Sequence, residues 1–167
     1  MALPQPSGDF EWVQAPWGSA LRCAPLAAIA PHSFSTRELP LDGTRAPDSV
    51  PWDALARALG VETGAIVRMR QVHCAGIFEA EGRGVGCHSA PFSSACDDWP
   101  EADIAISRDP SIALSVRVAD CVPILLGDRR TGAVAAIHAG WRGTAAGAVA
   151  AAVQGLSRAF GSEPADV

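Results

Sequence analysis

The sequence predicts an α/β fold, because apolar patterns typical of strands and of a helix follow one another along the chain. Residues 65–73 alternate apolar and polar side chains as a half-buried strand does. Residues 111–118 and 132–137 are two further strand candidates, since each is a short apolar run bounded by turn residues. Residues 144–160 are rich in alanine and are followed by Gly161, a pattern that predicts a helix and its end.

The first sixty residues are predicted to contain short strands and one helix. Residues 10–13 and 25–29 are apolar and are separated by turn residues, which favours two short strands. Residues 42–51 are predicted to form a polar loop. Residues 52–60 have helical spacing and end on a glycine, so a helix is expected there.

The remaining segments are predicted to be a long surface loop, a strand and the start of a further strand. Residues 81–101 are rich in glycine, serine and proline and are predicted to form a surface loop. We assign no metal site to the cysteines and the histidine within this loop. Strand character resumes at residues 102–107. Residues 164–167 resemble the start of another strand.

Composition limits the classes of protein to which the chain can belong. At 167 residues with 49% hydrophobic content, residues 1–167 are expected to form a single domain. The formal net charge of -5 argues against nucleic acid as a partner, and no apolar run of membrane-spanning length is present. Five cysteines without an export signal favour reduced thiols, so we expect a cytoplasmic protein.

Three residues of types that commonly bind metals follow apolar runs, and we expect them to lie close together. Cys121 and His138 are expected at neighbouring strand ends, and His73 lies at the far end of the strand predicted over residues 65–73. A thiolate with two imidazoles suits zinc and leaves the fourth tetrahedral position open for water or substrate, as in catalytic sites.

Two other interpretations of these residues remain open from the spacing alone. Cys121 could be a small buried hydrophobic residue, with ordinary histidines at the rim. It could also be a nucleophile activated by His138, as in a hydrolase or transferase that needs no metal.

The segment after His138 predicts an anion site. Residues 140–143 are interpreted as a tight turn, with Thr144 as the cap of the alanine-rich helix. The start of a helix favours anions, and the guanidinium of Arg142 can bind phosphate through paired hydrogen bonds. Alternatively, Arg142 could hold the turn by bonding carbonyl groups.

Three motifs resemble those of a known family. The segments Gln71-Val-His73, Ala119-Asp-Cys121-Val-Pro and His138-Ala-Gly-Trp-Arg-Gly-Thr144, in that order, closely resemble the signature of the YfiH-type "laccase domain" family, once described as multicopper polyphenol oxidases. Residues 34–37 and 102–103 are similar to two further motifs of that family. The resemblance covers roughly residues 30–160.

The resemblance implies a layered α/β sandwich of mixed β-sheets flanked by helices. It also implies a zinc-dependent purine nucleoside phosphorylase that cleaves adenosine, inosine or methylthioadenosine with phosphate, with adenosine deaminase activity also known in the family. On this basis the zinc ligands are His73, Cys121 and His138. Other polar residues are expected nearby, with Asp103, Asp120 and Arg142 as candidate catalytic residues and Arg37, Gln71 and Arg142 as candidate substrate and phosphate ligands.

The older name of the family can be tested by counting ligands. A four-copper oxidase needs about ten imidazoles plus a cysteine, and this chain has four histidines. A laccase is therefore disfavoured, although one copper ion could bind opportunistically at the zinc site.

The family fold continues beyond the position of residue 167. The chain is therefore expected to lack the C-terminal part of that fold. A further alternative for its function is a non-catalytic remnant that binds a nucleoside or a partner protein. A homodimer is a possible assembly.

Overall fold

The computed structural model describes residues 3–41, 50–82 and 99–167, and its N-terminal part is a small antiparallel sheet. Its strands are β1 (Phe10–Ala15), β2 (Gly18–Cys23) and β3 (Phe34–Ser35), in the order β1-β2-β3. The strand predicted over residues 25–29 is wrong, because helix α1 (Ala24–Ala27) occupies this position. Proline in the first turn of a helix loses no hydrogen bond, and Pro25 lies in that turn.

Helix α2 (Val50–Leu59) confirms the helix predicted before Gly60. Gly60 has a φ of 75°, a left-handed conformation that glycine adopts without steric cost. Trp52 and Leu55 of α2 pack against Ile66, so this helix covers the strand that follows it. The loop predicted over residues 42–51 lies mainly outside the described residues.

The strands predicted over residues 65–73 and 111–118 are much shorter than expected. Only β4 (Ile66–Val67) and β7 (Ala113–Leu114) form, as a parallel pair. Beyond this pair the side-chain amide of Gln71 bonds both the N–H and the carbonyl of Arg117, at 2.8 and 2.7 Å. The side chain of Gln71 thus joins the two segments beyond the end of the backbone ladder.

A mixed four-stranded sheet forms the centre of the molecule. Its strands are β5 (Ile77–Glu79), β6 (Ile104–Ser107), β8 (Val122–Gly127) and β9 (Val134–Ala139), in the order β5-β6-β9-β8. The pair β5–β6 is parallel and the other two pairs are antiparallel. The strand predictions over residues 102–107 and 132–137 are therefore confirmed.

Two helices and a second sheet cover the two faces of this central sheet. Ile104 and Ile106 pack against Leu156 of helix α4 (Ala148–Phe160) on one face. Ala105, which points the other way, packs with Val67 of the two-stranded sheet. The layers are thus α4, the four-stranded sheet, the β4–β7 pair and α2, which confirms a layered α/β sandwich with mixed sheets.

The alanine-rich segment forms two helices instead of one. Helix α3 (Trp141–Ala145) begins after Gly140, and Gly147, with a φ of 77°, separates it from α4. The prediction that Thr144 caps the long helix is wrong, since Thr144 lies inside α3 and the capping position of α4 is a left-handed glycine. The predicted end at Gly161 is confirmed.

The last residues do not begin a strand, contrary to the prediction for residues 164–167. Pro164–Asp166 form a 3-10 turn, and the carboxylate of Asp166 accepts a hydrogen bond from Arg130 at 3.1 Å. Arg129 pairs with the same carboxylate. Within the described ranges no helix is long and apolar enough to cross a membrane.

Candidate metal centre

The centre is built around the carboxylate of Asp103, which is fully buried. Its Oδ2 accepts hydrogen bonds from the backbone N–H groups of Val72 and Cys74, at 3.1 and 2.8 Å. Its Oδ1 accepts from the N–H of His73 at 3.0 Å and from Nδ1 of His138 at 2.7 Å. One side chain therefore holds three successive residues of a loop and one residue of the central sheet.

Several opposing effects set the pKa of Asp103. Burial by itself raises the pKa, because it disfavours the charged carboxylate. The hydrogen bonds from the Cys74 N–H, the imidazole of His138 and the His73 N–H outweigh burial, so the pKa of Asp103 lies below its ordinary value. The carboxylate is charged at neutral pH and can act only as an acceptor.

His73 adopts a backbone conformation that is unfavourable for its residue type. Its φ is 63°, and it is the one non-glycine residue with positive φ in the part of the chain that the structure describes. The side chain of His73 is exposed. The hydrogen bonds to Asp103 hold this strained loop and direct the imidazole of His73 towards that of His138, with ring centroids 4.8 Å apart.

His138 lies near the end of β9 and is 3% exposed. Because a carboxylate cannot donate, Nδ1 of His138 carries the proton in its bond to Asp103. The lone pair of Nε2 is then free to bind a metal, and a carboxylate on the other nitrogen is the usual partner of a metal-binding histidine.

Cys121 reaches the site by a route different from the one predicted. It does not end a strand over residues 111–118 but lies one residue before β8. The antiparallel register of β8 and β9 pairs Val122 with Ala139 and Pro123 with His138, and this pairing brings the thiol beside the imidazole. The expected proximity of Cys121 and His138 is confirmed.

The ligand atoms of His73, Cys121 and His138 all lie within 4.8 Å of one another. A Cβ atom on Gly140 would lie 2.8 Å from Sγ of Cys121 and 3.3 Å from the ring of His73, so the site leaves no room for a side chain there. One thiolate and two imidazoles fit a single soft or borderline divalent ion. The structure therefore brings the three predicted ligands together as a group that can hold a metal ion.

The three candidate ligands open onto a cavity of about 600 Å³. Its lining also includes Gln71, Asp120 and three residues that the sequence analysis did not select, which are Arg70, Trp99 and Arg117. Asp120 is exposed. Asp103 is not among the lining residues, and it reaches the cavity only through the residues that it holds.

The two arginines predicted to bind phosphate lie elsewhere. The guanidinium of Arg142 lies 4.9 Å from the ring centroid of Trp141, and this ring is 75% exposed. Arg37 is exposed after β3. Neither arginine is among the residues that line the cavity.

The sequence positions of Arg70 and Arg117 gave some indication that these residues could lie near the centre. Arg70 and Arg117 each lie three or four residues before a candidate metal ligand, within segments predicted to be strands. Which face such a position presents depends on the strand register, and single segments do not specify it.

Proteins of known sequence resemble this chain over much of its length. It is 38% identical over 112 residues to a purine nucleoside phosphorylase of Streptomyces coelicolor, a match covering 67% of this chain and 42% of that protein. It is 33% identical over 160 residues to a purine nucleoside phosphorylase of Streptomyces griseus, covering 87% and 61%. An adenosine deaminase of an unknown prokaryotic organism is 36% identical over 109 residues, covering 62% and 38%.

Solved structures share the fold. YlmD from Geobacillus stearothermophilus has a TM-score of 0.63 at 26% identity, covering 83% of this chain and 56% of that one. The YfiH protein of Bacillus licheniformis has a TM-score of 0.60 at 30% identity, covering 70% and 42%. The sequence matches to the two Streptomyces phosphorylases cover 42% and 61% of those proteins, so this chain spans only part of their length.

A family model described as multi-copper polyphenol oxidoreductase laccase matches residues 50–167, which include every strand and helix that contributes to the centre. The chain belongs to this laccase-like YfiH family.

Proposed function

We propose that the protein is a zinc-dependent purine nucleoside phosphorylase that cleaves adenosine, inosine or methylthioadenosine with phosphate. The observation that carries the proposal is the convergence of His73, Cys121 and His138 in the lining of one cavity. Relatives named purine nucleoside phosphorylase support the reaction class. Proteins of this type use a nucleoside and phosphate as small-molecule partners, and we place the reaction in the cytoplasm.

Three ligands would hold the zinc and leave one position for substrate. When bound at such an open site, zinc supplies Lewis-acid polarisation of a substrate group. Asp103 keeps the proton on Nδ1 of His138, so that Nε2 faces the ion. Copper could bind the same ligands, because its affinity for most nitrogen and sulfur sites is higher than that of zinc.

Asp120 is the carboxyl group available to the substrate. It is exposed and lines the cavity beside Cys121, where it can donate a proton to the purine as the glycosidic bond to the sugar breaks and phosphate takes the place of the purine. Asp103, in contrast, is a positioning residue, since it is buried and bonded on both oxygens. Gln71 also acts through another residue, because both ends of its amide bond the backbone of Arg117.

Adenosine deamination is the second candidate reaction. A relative named adenosine deaminase favours it, and an open zinc site suits hydrolytic attack on a purine. Both reactions use the same three ligands, so they differ in which nucleophile enters the cavity.

A metal-free cysteine enzyme would use Cys121 as nucleophile, His138 as base and Asp103 as its orienting group. The bond between Asp103 and His138 is consistent with this arrangement. A nucleophile needs one imidazole, however, and His73 directs a second imidazole at the same point. The second imidazole favours a metal.

The test combines metal analysis with product analysis. The purified protein is assayed for zinc and copper and then incubated with adenosine, with and without phosphate, and adenine and inosine are separated by chromatography. We expect stoichiometric zinc and phosphate-dependent release of adenine, both lost in Cys121→Ala. Inosine formation without phosphate would show a deaminase, activity after complete chelation would show cysteine catalysis, and binding without turnover would show a remnant.

A further inference from the structure

We propose that Arg117, assisted by Arg70, binds a phosphate group in the cavity of the metal centre, with Trp99 as the aromatic surface beside it. This inference deepens the proposed function, on which it rests. It assigns the phosphate to a part of the molecule different from the one that the sequence motifs favour.

Arg117 is held in place by its backbone while its side chain remains available. The amide of Gln71 binds both the N–H and the carbonyl of Arg117, at 2.8 and 2.7 Å. The guanidinium of Arg117 lies 5.6 Å from the ring centroid of Trp99, and all three residues line the cavity. A planar guanidinium whose backbone is anchored and whose donors face the cavity is suited to bidentate recognition of phosphate oxygens.

The charges around the cavity favour an anion. Two arginines and one aspartate, Asp120, line it, a balance of one positive charge before any metal is counted. Arg70 pairs with Glu101 at 3.0 Å, but both side chains are more than half exposed, and such pairs are weak. Among the described residues, no carboxylate lies within salt-bridge distance of Arg117.

A second guanidinium lies close to Arg117. Burial lowers the pKa of Arg68, and the positive charge of Arg117 lowers it further. Arg68 lies 4.7 Å from the ring centroid of Trp99, so two guanidinium groups approach the same indole. Of these two guanidinium groups, that of Arg117 belongs to the cavity lining.

Arg142 also lies beside a tryptophan ring, but its surroundings differ from those of Arg117. It lies over an exposed tryptophan and outside the cavity lining. A phosphate bound there would be in solvent, where an ionic contact contributes little. The position of the side chain relative to the metal ligands therefore favours Arg117.

The same chemistry could be supplied by inorganic phosphate or by the phosphate ester of a nucleotide. Inorganic phosphate would be the co-substrate of phosphorolysis, whereas an ester would make a nucleotide the preferred ligand. Calorimetric titration of the metal-loaded protein with inorganic phosphate and, separately, with adenosine 5′-monophosphate distinguishes the two sources, because affinity for only one of them identifies it.

The decisive variants are Arg117→Gln and Arg142→Gln, with Arg158→Gln as a matched control. Arg158 is exposed on α4, and each variant removes one positive charge. We expect phosphate affinity to fall at least about tenfold in Arg117→Gln and to stay within about twofold of the parent in the other two. Arg117→Lys, which keeps the charge and loses the planar fork, is expected to show a smaller loss and serves if the glutamine variant does not fold.

Zinc content and the thermal unfolding midpoint are measured for each variant and should not change. Unchanged phosphate affinity in both Arg117 variants, or an equal loss in Arg142→Gln, would overturn the assignment. Because binding is measured without turnover, failure of the phosphorylase proposal is seen separately. Phosphate binding that depends on Arg117 in a protein that releases no purine would leave the anion site standing and reject the reaction.

Discussion

Two buried aspartates at opposite ends of the central sheet perform the same structural task with different results. Asp103 and Asp128 are both fully buried, and each accepts hydrogen bonds from successive backbone N–H groups. Both have a pKa below the ordinary value, since in each case hydrogen bonds outweigh the opposing effect of burial. The two carboxylates differ in the side chain that each of them bonds.

At the turn between β8 and β9, Asp128 bonds the hydroxyl of Thr131 at 2.6 Å. At the other end, Asp103 bonds an imidazole whose second nitrogen faces two further metal ligands. A buried carboxylate therefore becomes functional through the group that it orients. Its burial and its pKa do not distinguish the two cases.

The two ends also differ in how they accommodate a left-handed residue. At the turn the residue with positive φ is Gly132, at 74°, whereas at the metal centre it is His73, at 63°. The turn uses the residue that adopts this conformation without strain. The centre instead has a histidine there, whose imidazole lies beside Cys121 and His138.

The largest effect is expected from Asp103→Asn. The amide has one acceptor oxygen where the carboxylate has two, so its NH₂ group must face backbone N–H groups or the imidazole of His138. We expect zinc affinity to fall about 10- to 100-fold and stability to fall by about 1–3 kcal/mol for each buried donor left unpaired. Competition titration with a zinc chelator and urea unfolding measure the two quantities.

Asp128→Asn is the matched control for this change. Its oxygen can keep the N–H groups of Arg130 and Thr131, and its NH₂ can donate to the hydroxyl of Thr131, which also accepts hydrogen bonds. We therefore expect unchanged zinc affinity and a smaller loss of stability. Equal loss of zinc in both variants would mean that Asp103 has no special relation to His138.

Gly140→Ala should affect the centre more than the fold. Its Cβ would lie 2.8 Å from Sγ of Cys121, and displacement of a reacting group by about 1 Å can cost about 100-fold in rate. Gly132→Ala is the contrasting change, since its Cβ would meet no atom within 4 Å. That variant should lose about 1–2 kcal/mol through its backbone conformation and keep full zinc content. Activity assays, zinc analysis and thermal unfolding would reveal the opposite patterns.

The smallest effect concerns the strain at His73. Both His73→Ala and His73→Gly remove the imidazole, and we expect equally weakened zinc binding. The glycine variant should be more stable than the alanine variant by about 1 kcal/mol, because only alanine is strained at a φ of 63°. Urea unfolding of the zinc-free proteins measures the difference. An alanine variant at least as stable as the glycine variant would show that the loop relaxes and stores no strain.

The sequence by itself determined several of the main elements and the three side chains that converge at the candidate metal centre. Helix α2, helix α4 with its end at Gly161, and strands β6 and β9 follow from local patterns. These patterns depend on residues only a few positions apart, as hydrophobic periodicity and glycine stops do. The ligands His73, Cys121 and His138 were identifiable because their chemistry and motif positions are local features.

Only the tertiary structure decided how those ligands are supported and which arginine faces them. The bonds from Asp103 join residues about 30 positions apart, and those of Gln71 reach residue 117 across 46 positions. Such pairings depend on strand register, and a shift of one residue reverses the face that each side chain presents. Arg142, within the His138–Thr144 motif but in helix α3, lies outside the cavity, whereas Arg117, whose backbone is held by a distant amide, lines it.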